Sequence, residues 1–216
     1  MSQATHNPRL LEKLSAAKIV PVLTIEDVAK AVPLAKALLD GGLSTLEITL
    51  RTPVSLQALK AIADAMPNVF VGAGTVLSPR QADAAITAGA QYLVSPGMSP
   101  ALVNAAEQWP VPFLPGAATA SEAMALADMG YRALKFFPAE AAGGIGLLKS
   151  LAAPLSEIKF CPTGGVTAAN VADYLQLANV ISIGGSWVAP SDAIASEDWG
   201  RIETLSRDAM AAVKDV

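Results

Sequence analysis

Apolar positions along the chain gather in eight short runs. They are KIVPVLTI (18–25), TLEITLR (45–51), VFVGAGTV (69–76), YLVSPG (92–97), PFLPGA (112–117), ALKFFPA (133–139), KFCPTGGV (159–166) and VISIGGSWV (180–188). Rich in β-branched or apolar residues, each has the length of a buried strand. Between them apolar residues recur at helical spacing, as in SLQALKAIADAM, SPRQADAAITAGA and TAANVADYLQLA. Several of these stretches open on Ser, Thr or Pro and several close on Gly, the start and stop signals of helices. One more helix is predicted over 8–17 and another from about Ser196 to the C-terminus.

Successive runs begin 20 to 27 residues apart, which leaves room for one helical crossover each. Eight such β units predict a (β/α)8 barrel, the TIM-barrel architecture, with an extra N-terminal helix. No linker or shift in composition divides residues 1–216, so one domain is expected. A doubly wound open sheet is the competing fold, but no G-x-G-x-x-G follows the first run. Pro21 conflicts with a closed barrel, which has no free edge to hide a missing N–H. A bulge at Pro21, or a strand that begins after it, is expected.

Composition narrows the chemistry. The 216 residues carry a net charge of −4 with no run of Lys or Arg, which makes nucleic acid and acidic membranes poor partners. No apolar run approaches the roughly 18 residues of a membrane span, and the N-terminus lacks the apolar core of a signal peptide. The single cysteine, Cys161, cannot form an internal disulfide, which fits a reducing cytoplasm. His6 is the only histidine and lies in a polar N-terminal segment. A Ser-His-Asp triad or a His-rich zinc site is thereby excluded. Without a histidine partner Cys161 reads as a small core residue. Lys, Glu, Asp, Arg, Ser, Thr or Tyr must carry any catalysis.

In the predicted barrel an active site forms at the C-terminal strand ends, and polar residues gather there. Alternation in TLEITLR puts Leu46, Ile48 and Leu50 on one face and Glu47, Thr49 and Arg51 on the other. Glu47 and Arg51 then either pair with each other or serve a ligand, Arg being suited to bidentate capture of a carboxylate. In VFVGAGTV, Val71, Ala73 and Thr75 share a face, and Gly72 and Gly74 suggest close backbone approach. Lys135 and Phe137 share a face of the sixth strand. A lysine inside an apolar strand either reaches into water on its long stem or works in a dry pocket. There, desolvation and the Arg51 cation would lower its pKa and free a nucleophilic amine for a ketone, with Glu47 moving protons. Paired glycines end the last two strands, at Gly164–Gly165 and Gly184–Gly185, with Ser186 following. That is the usual phosphate position of this architecture.

At these residues the chain resembles the 2-keto-3-deoxy-6-phosphogluconate (KDPG) aldolase and 4-hydroxy-2-oxoglutarate aldolase family. LEITLRTP, VGAGTV, YLVSPG, PFLPGAAT, ALKFFPAE, FCPTGGV and IGGSW match in order and spacing over about residues 45 to 187. The resemblance implies a metal-independent, cofactor-free class I aldolase, usually a homotrimer. It implies that Lys135 forms a Schiff base with pyruvate and that Glu47 is the general acid and base. Arg51 and Thr75 would bind the pyruvate carboxylate and keto region, and Pro96, Phe137 and Thr163 would shape the pocket. Gly164, Gly165, Gly185 and Ser186 would hold the phosphate of a keto acid. Two enzyme alternatives stand beside it: an aldolase for the galactonate analogue, and a phosphosugar isomerase or decarboxylase. A barrel that binds a phosphorylated ligand without turnover is the non-enzymatic one.

Overall fold

The computed structural model describes residues 8–214; His6 lies outside them. Helix α1 (Pro8–Ala17) leads into strand β1 (Ile19–Leu23). A 3-10 turn (Val28–Lys30) and α2 (Ala31–Asp40) follow. Then come β2 (Thr45–Thr49), α3 (Ser55–Ala65), β3 (Phe70–Gly74), α4 (Pro79–Thr87), β4 (Leu93–Val94), α5 (Pro100–Ala106) and β5 (Phe113–Leu114). The chain continues through β6 (Gly116–Ala117), α6 (Ala120–Asp128), β7 (Ala133–Phe136), α7 (Gly144–Ala152), β8 (Lys159–Pro162), α8 (Val171–Leu175) and β9 (Ile183–Gly185). It ends with α9 (Ser191–Ala195) and α10 (Trp199–Ala212), the latter three residues later than the pattern suggested. Helix starts follow local chemistry. Ser78 and Ser99 cap α4 and α5, each with proline in the first turn, and Thr119 and Glu122 form a reciprocal capping box on α6.

All strand pairs are parallel. One sheet runs β5-β4-β3-β2-β1-β9 and the other β6-β7-β8. Parallel bridges Phe160↔Val180 and Thr163↔Gly184 link the β8 side to the β9 side. The result is an α/β fold whose parallel strands curl around an interior.

Two expectations are corrected. PFLPGA is two strands, because Pro115 interrupts it. The Leu114 carbonyl accepts from Ser95 on the β4 side, while the Pro115 carbonyl accepts from Lys135 of β7. The chain thus changes neighbours across a residue that has no N–H to give. Pro21 needs no bulge: β1 runs through it, pairing Ile19↔Ile183, Val20↔Gly184 and Pro21↔Gly185 one to one. Register with β2 begins only at Val22, so the missing N–H breaks no rung of that ladder.

Alternation sorts the apolar residues into two layers. Leu23, Ile25, Leu46, Ile48, Val71 and Ala73 join the large cluster between strands and helices. Val20, Phe70, Tyr92, Val94, Leu114 and Cys161 meet inside the curl, joined by Leu10 and Leu14 of α1. Helix α1 thus closes the end where the strands begin. Burying a side chain the size of Leu14 contributes about 1.5–3 kcal/mol.

Candidate active site

Lys135 is the third residue of β7 and Glu47 the third of β2. Both point into the interior, 3 % and 4 % exposed, and Lys135 Nζ donates to Glu47 Oε1 at 3.1 Å. A buried cation is tolerated because a carboxylate lies within hydrogen-bond reach. The expected cationic neighbour, Arg51, is absent from this contact. A cavity of about 10 Å³ adjoins the pair, walled in part by Leu14, Val20, Val94 and Leu114, with room for about one water.

Glu47 fits because of Gly74. A Cβ on Gly74 would stand 2.0 Å from Glu47 Oε1, so the bare backbone of β3 makes the carboxylate's seat. The backbone approach suggested at Gly72 is also present, against the ring of Tyr92. That ring stacks on Phe70 at 5.0 Å, and its hydroxyl donates to the Leu46 carbonyl.

Arg51 is exposed in the turn after β2 and donates from Nε to Thr75 Oγ1 at 3.0 Å. Neither an Arg51–Glu47 ion pair nor an Arg51–Lys135 contact occurs among the described residues. Strand alternation would have sent the Thr75 side chain outward with Val71 and Ala73. Its backbone instead turns left-handed (φ 58°), a conformation that costs a β-branched residue about 1–3 kcal/mol. Phe137 is half-buried, its ring centroid 5.4 Å from Lys135 Nζ. Pro96 packs its backbone carbonyl where a Cβ of Gly116, the register partner of Lys135, would stand.

The glycine pairs lie at the adjoining strand ends. Thr163 is buried after β8 and faces Gly184, where a Cβ would meet its Oγ1 at 2.2 Å. Gly164 and Gly165 follow with φ 100° and 83°, and Gly164 packs against Phe137. Gly185 ends β9, and Ser186 beyond it is exposed. Among the described residues, no backbone carbonyl takes the N–H of Gly165, Val166 or Ser186. Unpaired N–H groups in consecutive left-handed turns suit an anion.

Sequence reasoning missed three features. Thr49 is fully buried and donates to the Leu23 carbonyl while touching Thr24. Glu140 accepts from the Tyr174 hydroxyl, and its stem lies where a Cβ of Gly165 would go, so it braces that turn. The break at Pro115 was visible only as a proline in an apolar run. Cys161 is a core residue: burial pushes its thiol up to about 12, and Sγ accepts from Ser182 Oγ at 3.1 Å. Among the described residues no three His, Cys, Asp or Glu side chains cluster as metal ligands, and no helix is long and apolar enough to cross a membrane.

An amine and a carboxylate in a dry interior, an aromatic wall and a neighbouring anion cradle equip the molecule for imine chemistry on an acidic carbonyl compound. Comparison with known proteins gives the particular family. The KDPG and KHG aldolase family model matches residues 10–205, and the chain belongs to that family. It is 46 % identical over 201 residues to the KHG/KDPG aldolase of Escherichia coli K12, covering 93 % of this chain and 94 % of the relative. The 2-dehydro-3-deoxy-phosphogluconate aldolase of Dickeya dadantii is 47 % identical over 198 residues, covering 92 % and 93 %. Among solved structures, the KDPG aldolase of Legionella pneumophila, with pyruvate captured as a covalent carbinolamine, superposes with a TM-score of 0.90. It is 42 % identical, covering 92 % of this chain and 97 % of that one.

Proposed function

We propose that this protein is a class I aldolase that reversibly cleaves 2-keto-3-deoxy-6-phosphogluconate to pyruvate and glyceraldehyde 3-phosphate. It would also cleave 4-hydroxy-2-oxoglutarate to pyruvate and glyoxylate. The observation that carries the reading is the buried Lys135–Glu47 contact of 3.1 Å. An isomerase or decarboxylase needs no such amine.

The steps follow from that pair. Glu47 takes a proton from Lys135, and the amine attacks the C2 ketone to give a carbinolamine. Glu47 returns that proton to the carbinolamine hydroxyl, which leaves as water, and an iminium remains opposite the regenerated carboxylate. Glu47 then removes the C4 hydroxyl proton as the C3–C4 bond breaks, its electrons moving into the iminium to form an enamine. The aldehyde departs, Glu47 returns the proton to C3, and water releases pyruvate. Arg51 and Thr75 bind the keto-acid carboxylate, while Pro96, Phe137 and Thr163 bound the pocket. Gly164, Gly165, Gly185 and Ser186 hold the phosphate, a role supported by the unpaired N–H groups. The covalent chemistry resides on Lys135, so the reaction needs neither metal nor cofactor.

The same reading closes the curled sheet into a (β/α)8 barrel of one domain, 1–216, with α1 as its additional N-terminal helix. The β8–β9 bridges and the continuity of β5 with β6 support it. It also makes the protein a cytoplasmic homotrimer. Borohydride reduction with pyruvate, followed by peptide mass spectrometry, tests the assignment. A reduced pyruvyl adduct on Lys135 is expected, and an adduct on any other lysine, or none, overturns it.

A further inference from the structure

Strand β1 stands between β2, which carries Glu47, and β9, which ends in Gly185. Val22 is in register with Glu47 and Pro21 with Gly185. A substrate that reaches from the Lys135–Glu47 pair to a phosphate at Gly185 and Ser186 therefore passes the end of β1. Leu23 and Ile25 enter the outer apolar layer, so Val22 and Thr24 face inward. Thr24 is exposed and lies about 7 Å beyond the level of Glu47, two strand residues further on. It lines a hollow of about 590 Å³ bounded on its other side by Ser191 and Ile194.

The proton count at this point fixes what the Thr24 hydroxyl can offer the mouth. A threonine hydroxyl has one proton and two lone pairs. Thr49 Oγ1 donates its proton to the Leu23 carbonyl at 2.9 Å. Thr24 Oγ1 lies 3.0 Å from Thr49 Oγ1, and with Thr49's proton spent, Thr24 must be the donor. Thr49 is fully buried, so the relay is anchored from below. Thr24 Oγ1 consequently offers the mouth lone pairs only. Such an oxygen accepts from a hydroxyl and gains nothing from a carbonyl or phosphate oxygen.

Building on the aldolase reading, we propose that Thr24 is a specificity-determining residue. It accepts a hydrogen bond from the hydroxyl on the aldehyde half of the substrate, on the carbon between the aldehyde and the phosphate-bearing carbon. The test runs in the condensation direction with pyruvate and two acceptors, glyceraldehyde 3-phosphate and 3-oxopropyl phosphate, which lacks that hydroxyl. Thr24→Val replaces the hydroxyl with a methyl group of similar shape and leaves Thr49's proton on the Leu23 carbonyl. The ratio of kcat/KM for the two acceptors should fall about tenfold in Thr24→Val and stay within about twofold in Thr24→Ser. An unchanged ratio in the valine variant, or equal losses on both acceptors, overturns the proposal. Pyruvate methyl exchange in D2O, read in parallel, needs no aldehyde. Its absence from the wild type would bring down the aldolase reading and Thr24's role with it. Its presence with an unchanged ratio brings down Thr24 alone.

Discussion

Gly74→Ala tests whether the position of the Glu47 carboxylate, as distinct from its presence, sets the activity. The added Cβ would stand 2.0 Å from Glu47 Oε1 and 2.6 Å from its Cδ and Cγ, where an ordinary contact needs at least 3.4 Å. The oxygen must therefore withdraw by about 1.4 Å, the difference between those two distances. Directed wholly away from Lys135, that shift would lengthen the 3.1 Å contact to at most about 4.5 Å, beyond hydrogen-bond reach. The obstacle is the far end of a flexible side chain, so the fold should lose no more than about 1–3 kcal/mol. Proton transfer suffers more, because displacement by about 1 Å can lower a rate about 10²-fold. We expect kcat for cleavage, followed by coupling pyruvate release to lactate dehydrogenase, to fall about 10²-fold or more. Pyruvate methyl exchange in D2O should fall with it. Gly146→Ala, an exposed helix position where the new Cβ meets nothing within 4 Å, serves as control. A Gly74→Ala enzyme within about threefold of wild type in both assays would refute the seating argument and leave Glu47's position without consequence.

Two further outcomes are expected. Ser186→Ala should weaken selection for a phosphorylated over an unphosphorylated substrate by about 1.5–3 kcal/mol, the value of a hydrogen bond to a charged group; equal losses on both substrates in steady-state kinetics would place Ser186 elsewhere. Burial lifts the Cys161 thiol to about 12, so it stays protonated at neutral and mildly alkaline pH. Iodoacetamide should therefore label Cys161 only on unfolding, and rapid labelling of the native protein at pH near 8 would count against its buried placement.

The period-2 and helical patterns were legible because each is a local property of the chain. They located the eight strand regions, the starts of α1, α3 and α4, and the inward face that carries Glu47 and Lys135. What the pattern could not supply depends on register between strands far apart in sequence. The local pattern equally allowed Glu47 to pair with Arg51, four residues away. It meets Lys135, 88 residues away, because β2 and β7 face each other across the curl. Thr75 was placed by a strand rule that stops applying once φ turns positive. Thr24 carried no signal, since its acceptor role follows from a proton count that needs the Thr49–Leu23 bond.

The lysine in ALKFFPAE is accommodated in the interior by its carboxylate partner, and the neutral amine that the proposed reaction uses arises by proton transfer within that same contact. In the resting site it stands opposite a buried carboxylate, and removing either partner would strand the other at about 3–5 kcal/mol. Under the proposed reaction that balance persists at every stage. Proton transfer from Lys135 to Glu47 leaves two neutral groups. The iminium restores a cation opposite a carboxylate. When C3–C4 breaks, the iminium becomes a neutral enamine as Glu47 becomes a neutral acid, and protonation of the enamine reverses both changes together. The pair alternates between charged and neutral forms, and the dry interior that raises the cost of an unpaired charge never holds one. A lysine at an exposed strand end would keep its charge in water, and a lysine alone in the interior would forfeit it. Only the pairing makes each proton movement also a cancellation of charge, and the proposed reaction therefore requires Glu47 to stay where the bare backbone of Gly74 seats it.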